Sequence, residues 1–184
     1  MKITIQNINT ILEPVAEADA AGICELRNNP SVNKFLSNSN SVSVEEQVRW
    51  IKTNEAKKDG FYFKIVDKMA QKFTGTISLY NIDNKKNEAE FGRYICTNSL
   101  QAIEAELLII WFGFEVMRLQ KIYCRTANDN KMVWNQHYKF GFADAGFENF
   151  ESKNLLLRKQ ELTKEQFDQF NYNSIQKLIE RFAK

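Results

Sequence analysis

The sequence predicts an α+β fold: a mixed, mostly antiparallel, twisted sheet of about seven strands flanked by helices, with an extra helix at the C-terminus. Three observations lead there. Apolar residues recur at every second position from Phe61 onward, in runs joined by short polar turns that end in a strand over Ala89–Cys96. The stretch Ile103 to Met117 is apolar around most of a helical circumference, which suits an element wedged against a sheet. Strand, long helix, strand and shorter helix then follow one another up to Gly141-Phe142, placing the long helix at the centre.

Taken in order, Lys2 to Ile8 alternates as a short first strand does, with Ile3 and Ile5 on one face. Pro14 opens a helical stretch carrying Ala16, Ala20, Ile23, Cys24 and Arg27, which Asn28-Asn29-Pro30 stops. A Ser- and Asn-rich loop, Ser31 to Ser41, leads to Ser43-Val44-Glu45-Glu46, a capping box, and to a helix with Val44, Val48 and Ile51 that Asp59-Gly60 ends. Phe61, Phe63 and Ile65 mark one strand, and Ile77 and Leu79 the next. The polar connection Asn81 to Asn87 enters the third. After the central block come a strand over Lys121–Thr126, a helix over Asp129–Phe140 and two strands near Phe147–Phe150 and Asn154–Lys159. The tail from Ser174 to Phe182 sets Ile175, Leu178, Ile179 and Phe182 on one face of a helix, fit to cover the chain's own core or a second copy in a homodimer.

Composition bounds the function. With 184 residues, 43% of them hydrophobic, residues 1–184 read as one domain. Its 25 basic and 23 acidic residues are scattered and leave a net charge of +2, which argues against nucleic acid or an anionic membrane as partner. The three cysteines, Cys24, Cys96 and Cys124, are odd in number, lack metal-ligand spacing and sit in apolar contexts, as buried thiols in a reducing cytoplasm do. No metal site is expected. No stretch reaches the ~20 apolar residues of a membrane span, and the first ten residues lack the pattern of a secretory leader.

The order of elements resembles the GNAT superfamily of acetyl-CoA-dependent N-acetyltransferases, particularly the branch of ribosomal-protein N-terminal acetyltransferases and nucleotide-amino-sugar acetyltransferases. The residues that carry the resemblance are Arg27-Asn28-Asn29-Pro30, Trp50-Ile51, Thr74-Gly75-Thr76-Ile77 and Ala89-Glu90-Phe91-Gly92. Glu104-Ala105 leading to Phe114-Glu115, Lys121-Ile122, Asn130 and Gly141-Phe142 complete it. It covers nearly all of the chain up to about Gln166 and rests on order and spacing.

The resemblance implies a GNAT fold whose cosubstrate, acetyl-CoA, pairs its pantetheine arm with the free edge of the strand Glu88 to Cys96, at Tyr94, Ile95 and Cys96. The pyrophosphate would rest where Gln101, Ala102 and Ile103 open the long helix, whose N–H groups attract anions. Here the chain departs from the family. Thr97 stands at the position of an Arg or Gln, Leu100 replaces the first glycine, and only Ala102 conforms. Either the helix N-terminus receives the pyrophosphate through a different turn, or CoA binding has been lost.

The position that the family usually gives to a proton-donating tyrosine falls on His137, the chain's single histidine, with Tyr138 beside it. Consecutive helix residues point about 100° apart, so only one of the two can face the cleft squarely. Asn130 matches the residue that holds the pantetheine arm, or is a helix cap. Glu90 matches the base for the attacking amine, or is an exposed carboxylate paired with a lysine. Arg27, Asn28 and Phe35 match the wall of the acceptor pocket, with a surface ion pair or loop anchor as the plainer role for Arg27. The leading expectation is a cytoplasmic transferase that acetylates a small-molecule primary amine, foremost a nucleotide-linked amino sugar. A protein N-terminal acetyltransferase and a non-catalytic GNAT-fold binding protein are the alternatives.

Overall fold

The structure, a computed structural model, describes residues 3–36, 40–150, 155–170 and 172–181. One sheet runs through it, built from β1 (Ile5–Gln6), β2 (Thr10–Pro14), β3 (Phe61–Asp67), β4 (Lys72–Asp83), β5 (Glu88–Cys96), β6 (Lys121–Ala127), β7 (Ala143–Phe150) and β8 (Leu155–Thr163). The eight strands lie in the order β1-β2-β3-β4-β5-β6-β8-β7, and every neighbouring pair is antiparallel except β5 with β6. The expected mixed, mostly antiparallel sheet is therefore present, with one strand more than about seven. The extra strand arises at the start. The single strand foreseen over Lys2–Ile8 is a two-residue β1 that turns back into β2; Lys2 itself lies outside the described residues. Pro14 ends β2 instead of opening a helix. The following residue, Val15, sends its N–H to Tyr62 of β3, so Pro14's missing donor falls on the side that β1 does not reach.

The helices are α1 (Ala20–Asn28), α2 (Pro30–Asn33), α3 (Val44–Lys57), α4 (Ser99–Trp111), α5 (Lys131–Tyr138), α6 (Lys164–Gln169) and α7 (Asn173–Arg181). The capping box at α3 forms as the sequence implies. Ser43 Oγ accepts from the Glu46 N–H at 3.2 Å, and the Glu46 carboxylate accepts from the Ser43 N–H at 2.8 Å. The long helix starts at Ser99, four residues before Ile103, and ends in a π-turn over Phe112–Val116. Asn28 and Phe35 flank the short α2, and residues 37–39 of the loop beyond lie outside the described residues, as do Asn154 and Phe182.

The core lies between the sheet and α4. Ala105, Ile109, Ile110 and Phe112 pack on Leu12, Phe63, Ile65, Ile77, Leu79 and Phe91, all of them buried. Ile175 and Ile179 of α7 are buried in the same cluster, so the apolar face of the tail serves this chain's own core. Glu104 is fully buried on α4, yet it does not face the helix mouth. Its carboxylate accepts from the Asn9 backbone N–H and from Asn9 Nδ2 at 2.6 Å, tying α4 to the β1–β2 turn.

What positions the site is a fork in the sheet. β5 pairs with β6 only from Glu88↔Lys121 to Phe91↔Cys124. Beyond that register β5 follows β4 to Gly75↔Cys96, while β6 follows β8 to Ala127↔Leu157. The cause is local. Between Ser78↔Gly92 and Thr76↔Ile95 the β5 strand carries one residue too many, and Arg93 takes a left-handed φ of 49°. Such a bulge bends the strand that carries it. The backbone from Gly92 to Cys96 is left as a free edge inside the molecule.

Candidate active site

The free edge of β5 leads from the N-terminus of α4 down to the vertex of the fork. At the upper end, Cys96-Thr97-Asn98 turns from strand to helix. Asn98 caps α4: its Oδ1 accepts from the Leu100 N–H at 2.9 Å, and its carbonyl accepts from the Ala102 N–H at 2.9 Å. The Ala102 N–H is thereby occupied, and Ile103 lies a full turn inside the helix. The helix mouth expected at Ala102 and Ile103 is found at Asn98–Ser99, because asparagine caps a helix as effectively as glycine turns one. Among the described residues, the first-turn donors left for an anion are the N–H groups of Ser99 and Gln101. The Gln101 side chain turns away, with Nε2 on the Asp67 carboxylate at 2.9 Å. Tyr94, Ile95 and Cys96 stand on the free edge, and Cys96 gives its thiol hydrogen to the Asn98 carbonyl.

At the vertex stands a buried polar cluster. His137 donates from Nδ1 to Glu106 Oε1 at 2.7 Å, with the ring 2% exposed and the carboxylate 0%. The other carboxylate oxygen accepts from Gln136 Nε2 at 2.6 Å, and the same amide reaches the Tyr94 hydroxyl at 2.8 Å. Tyr94 in turn donates to the Ala102 carbonyl at 2.8 Å. One network thus joins α5, α4 and the free edge of β5. The His137 ring lies 5.2 Å from the Phe91 ring and 5.5 Å from that of Phe142, and Cys124 is hydrogen-bonded to it. Burial alone would pull the imidazole pKa down. The charge of Glu106 leads the effects that outweigh burial and push it up to about 10. The group is an imidazolium at neutral pH.

Tyr138, one position on, faces elsewhere. Its hydroxyl donates to Asp144 at 2.7 Å and accepts from Arg158 at 2.9 Å, while its ring meets Trp134 edge-on. The hydrogen bond to Asp144 leads the causes that raise its pKa. Of the two adjacent residues, His137 is the one turned to the fork. Asn130 precedes α5 and makes no side-chain cap, so the capping role does not hold.

Glu90 occupies the opposite face of the sheet, beside the vertex. It is 3% exposed, and its partner is an arginine instead of the lysine foreseen for an exposed residue. Arg125 grips it with Nε at 3.0 Å and Nη2 at 2.8 Å, while the Tyr80 hydroxyl and Asn81 Nδ2 add donors at 2.8 and 3.0 Å. Four donors occupy this carboxylate and leave an incoming amine little to bind. Tyr80 is accordingly a poorer acid than usual, through burial and then through the charge of Glu90. Beside it a polar hollow of about 240 Å³ is lined by Glu88, Lys121, Tyr123, Arg125, Glu148 and Lys159. Four of its charges pair off: Lys121 meets Glu88 at 2.7 Å, and Arg125 meets Glu148 at 3.2 Å.

On the same face the bulge residue Arg93 lies in an aromatic box. Its guanidinium is 4.0 Å from the Tyr80 ring, 4.8 Å from Trp50 and 5.9 Å from Tyr62, with Nη1 on Asn54 at 2.9 Å. Arg27, at the end of α1, bears electrostatically on the Tyr62 hydroxyl and, among the described residues, its buried Nε finds no hydrogen-bond partner. Asn28 is a loop clamp whose amide pairs with both backbone groups of Val42. Phe35 is half-buried under Lys34.

Sequence reasoning passed over Glu106, Gln136, Cys124, Arg93, Tyr80 and Arg125. One signal was available for the first. Two glutamates in an otherwise apolar helix must each find a donor, and a carboxylate on that helix needs something like the lone histidine.

The acetyltransferase (GNAT) domain family matches residues 9–143. The chain therefore belongs to the GNAT acetyltransferases. Among solved structures it is similar to apo FdhC, a nucleotide-linked sugar GNAT, with 24% identity over 97% of this chain and 98% of that one and a TM-score of 0.79. A GCN5-related N-acetyltransferase from Brucella melitensis gives a TM-score of 0.79 at 15% identity, over 100% of this chain and 86% of that one. Spermidine N-acetyltransferase from Vibrio cholerae, in complex with CoA and spermine, gives 0.77 at 18% identity, over 88% and 99%. No curated protein sequence matches the chain. At these identities the structural likeness speaks for the fold, and no helix among the described residues is long and apolar enough to cross a membrane.

Proposed function

We propose that this protein is an acetyl-CoA-dependent N-acetyltransferase whose acceptor is a small-molecule primary amine carried on a nucleotide-linked sugar. The observation that carries the reading is the free edge of Gly92–Cys96, which runs from the first turn of α4 to an imidazolium at the vertex. Unpaired backbone on β5 can hold an extended amide-bearing arm as an added strand would. The N–H groups of Ser99 and Gln101 offer an anion site without glycine, and Asn130, whose side chain does not cap α5, is the candidate to hold the arm.

Acetyl-CoA would supply an activated acetyl thioester, and the protein's residues would do the rest. The free edge holds the arm in line, the packed rings of Phe91 and Phe142 keep water from the vertex, and His137 offers a proton to the departing sulfur. The acceptor side favours a nucleotide over a polycation. Arg27 and Arg93 are cations beside an aromatic surface of Trp50, Tyr62 and Tyr80, which suits phosphates next to a base, whereas Glu88, Glu90 and Glu148 already have basic partners. The resemblance to a nucleotide-linked sugar GNAT along nearly the full chain agrees with this. The proposed setting is the cytoplasm.

The test is release of CoA thiol from acetyl-CoA with three acceptor panels: nucleotide-linked amino sugars, polyamines and peptides with free N-termini. Turnover confined to the first supports the reading. Turnover on peptides alone would make the protein an N-terminal acetyltransferase, and CoA binding with no turnover on any panel would make it a binding protein.

A further inference from the structure

Arg93 has its backbone on the free edge of β5 and its side chain on the face of the sheet that carries Glu90 and α3. Among the described residues, two non-glycine positions inside strands take a left-handed φ, Asn81 of β4 at 52° and Arg93 of β5 at 49°. The others of this kind, Lys58, Gln71, Asn87 and Arg118, stand between elements. Asparagine visits this region readily and arginine does not, so the conformation at Arg93 has to be held by its surroundings. The guanidinium lies 4.0 Å from the Tyr80 ring of β4 and 4.8 Å from the Trp50 ring of α3. Its Nη1 donates to Asn54 Oδ1 at 2.9 Å and reaches Ser78 Oγ at 3.4 Å. We propose that Arg93 is a positioning residue for the cosubstrate: its side chain, anchored on α3 and β4, holds the bulge that parts β5 from β6 and so presents the backbone of Tyr94 to Cys96 to the arm of CoA. The inference rests on the acetyltransferase reading above.

Each link is geometric. The Arg93 carbonyl accepts from Thr76 Oγ1 at 2.9 Å, which ties the extra residue to β4, and the strand beyond it follows β4 to Gly75↔Cys96, away from β6. Tyr80, the nearer wall of the box, gives its hydroxyl to Glu90 at 2.8 Å. Glu90 is gripped in turn by Arg125 of β6, one position past the last β5–β6 pair at Phe91↔Cys124. The anchor of Arg93 is thereby connected to both limbs of the fork where they part. Tyr94, the next residue, reaches the opposite face, where its hydroxyl donates to the Ala102 carbonyl of α4 and accepts from Gln136 of α5. Successive residues thus fasten the free edge from both faces. An arm that adds as a strand gains its affinity from main-chain hydrogen bonds, whose geometry tolerates little displacement of the edge. An edge already held in place spares the complex the cost of ordering it.

The test is calorimetric titration of CoA without any acceptor, so that contacts of Arg93 with the acceptor do not enter. Arg93→Asn keeps a residue that tolerates the left-handed turn and removes the guanidinium. Trp50→Ala takes away one wall of the box from a helix on the face away from α4. The Kd for CoA should rise about tenfold or more in Arg93→Asn and about threefold in Trp50→Ala. The double variant should bind no more weakly than Arg93→Asn, since both changes release one anchor. Ile179→Ala is the control: it lowers stability and leaves the anchor intact, so its CoA affinity should match the wild type where it is folded. A folded Arg93→Asn with wild-type affinity overturns the proposal. So does an equal loss of affinity in Ile179→Ala, or a double variant weakened by the full product of the single losses. Should Arg93→Asn not fold, Trp50→Ala decides: the loss supports the anchor, and wild-type affinity overturns it. A wild type that binds no CoA fails at the function itself, and the positioning role falls with it.

Discussion

At His137 and Tyr138, two neighbouring residues are sent to different chemistry by the pitch of one helix. His137 turns inward to Glu106 and Phe91, and Tyr138 turns out to Asp144 and Arg158. His137→Gln should therefore slow acetyl transfer by about 10²- to 10⁴-fold with little change in CoA affinity. Tyr138→Phe, which removes a hydroxyl bonded away from the fork, should change the rate by less than about tenfold. Steady-state kinetics with calorimetric CoA binding checks both, and loss of activity in Tyr138→Phe alone would return the acid role to tyrosine. Stability carries the same signature. The folded pKa of His137 lies above its ordinary 6.5, at about 10, so its contribution is complete below pH 6.5 and is lost as pH rises through 10. The wild-type melting temperature should fall over that window, and His137→Gln should flatten the fall. Register from Gly141-Phe142 put His137 at the position the family usually gives to a tyrosine. Its partner was not legible, because the bond joins residues 31 apart and depends on how α4 is rotated against α5.

The elements that build the site are the bulged strand and the capped helix. Gly75 lies opposite Cys96 at the end of the free edge, where an added Cβ would stand 2.0 Å from the Ile95 carbonyl oxygen, a backbone atom that cannot step aside cheaply. Gly75→Ala should destabilise the protein by about 1–3 kcal/mol or more in urea unfolding, and should weaken CoA binding through displacement of the free edge. At Gly92 an added Cβ would press on the Tyr80 hydroxyl at 3.0 Å, the flexible end of a side chain, so Gly92→Ala should be milder and felt on the acceptor side. At the helix mouth, Ser99→Asp separates fold from function. A carboxylate in the first turn stabilises a helix by about 0.3–1 kcal/mol, yet it places negative charge where a pyrophosphate is proposed to sit. Thermal stability held or raised, together with CoA affinity reduced about tenfold or more, is the expected pair of results. Wild-type affinity in this variant would put the phosphate elsewhere. The helix was plain in the sequence from its apolar run, but its start was misplaced. Ser99 to Gln101 carries a single apolar residue, Leu100, too little to show a period, and only the asparagine before it marks the cap.

In the whole molecule, the order of strands and helices was legible because alternation and the 3.6-residue period are written in the apolar residues. The β1–β2 hairpin was less so: a two-residue strand shows no period, and Pro14 reads equally as a helix opener. The fork was invisible to pattern, since it is one extra residue in β5 at a non-glycine position. The tail helix was read correctly as amphipathic, and Ile179, fully buried, now anchors it to the common core. Ile179→Ala should cost about 2–4 kcal/mol in unfolding free energy while leaving kcat near wild type at temperatures where the protein is folded. The central claim is that the gap between β5 and β6 receives acetyl-CoA even though the loop above it lacks the family's glycines. Calorimetric titration of CoA into the purified protein, paired with thermal melting, tests this most directly. The account predicts one-site binding and a rise in melting temperature, with about 2.7 kcal/mol of added stability at a hundredfold excess over Kd, both diminished in Ser99→Asp. No heat and no shift at millimolar CoA would contradict it.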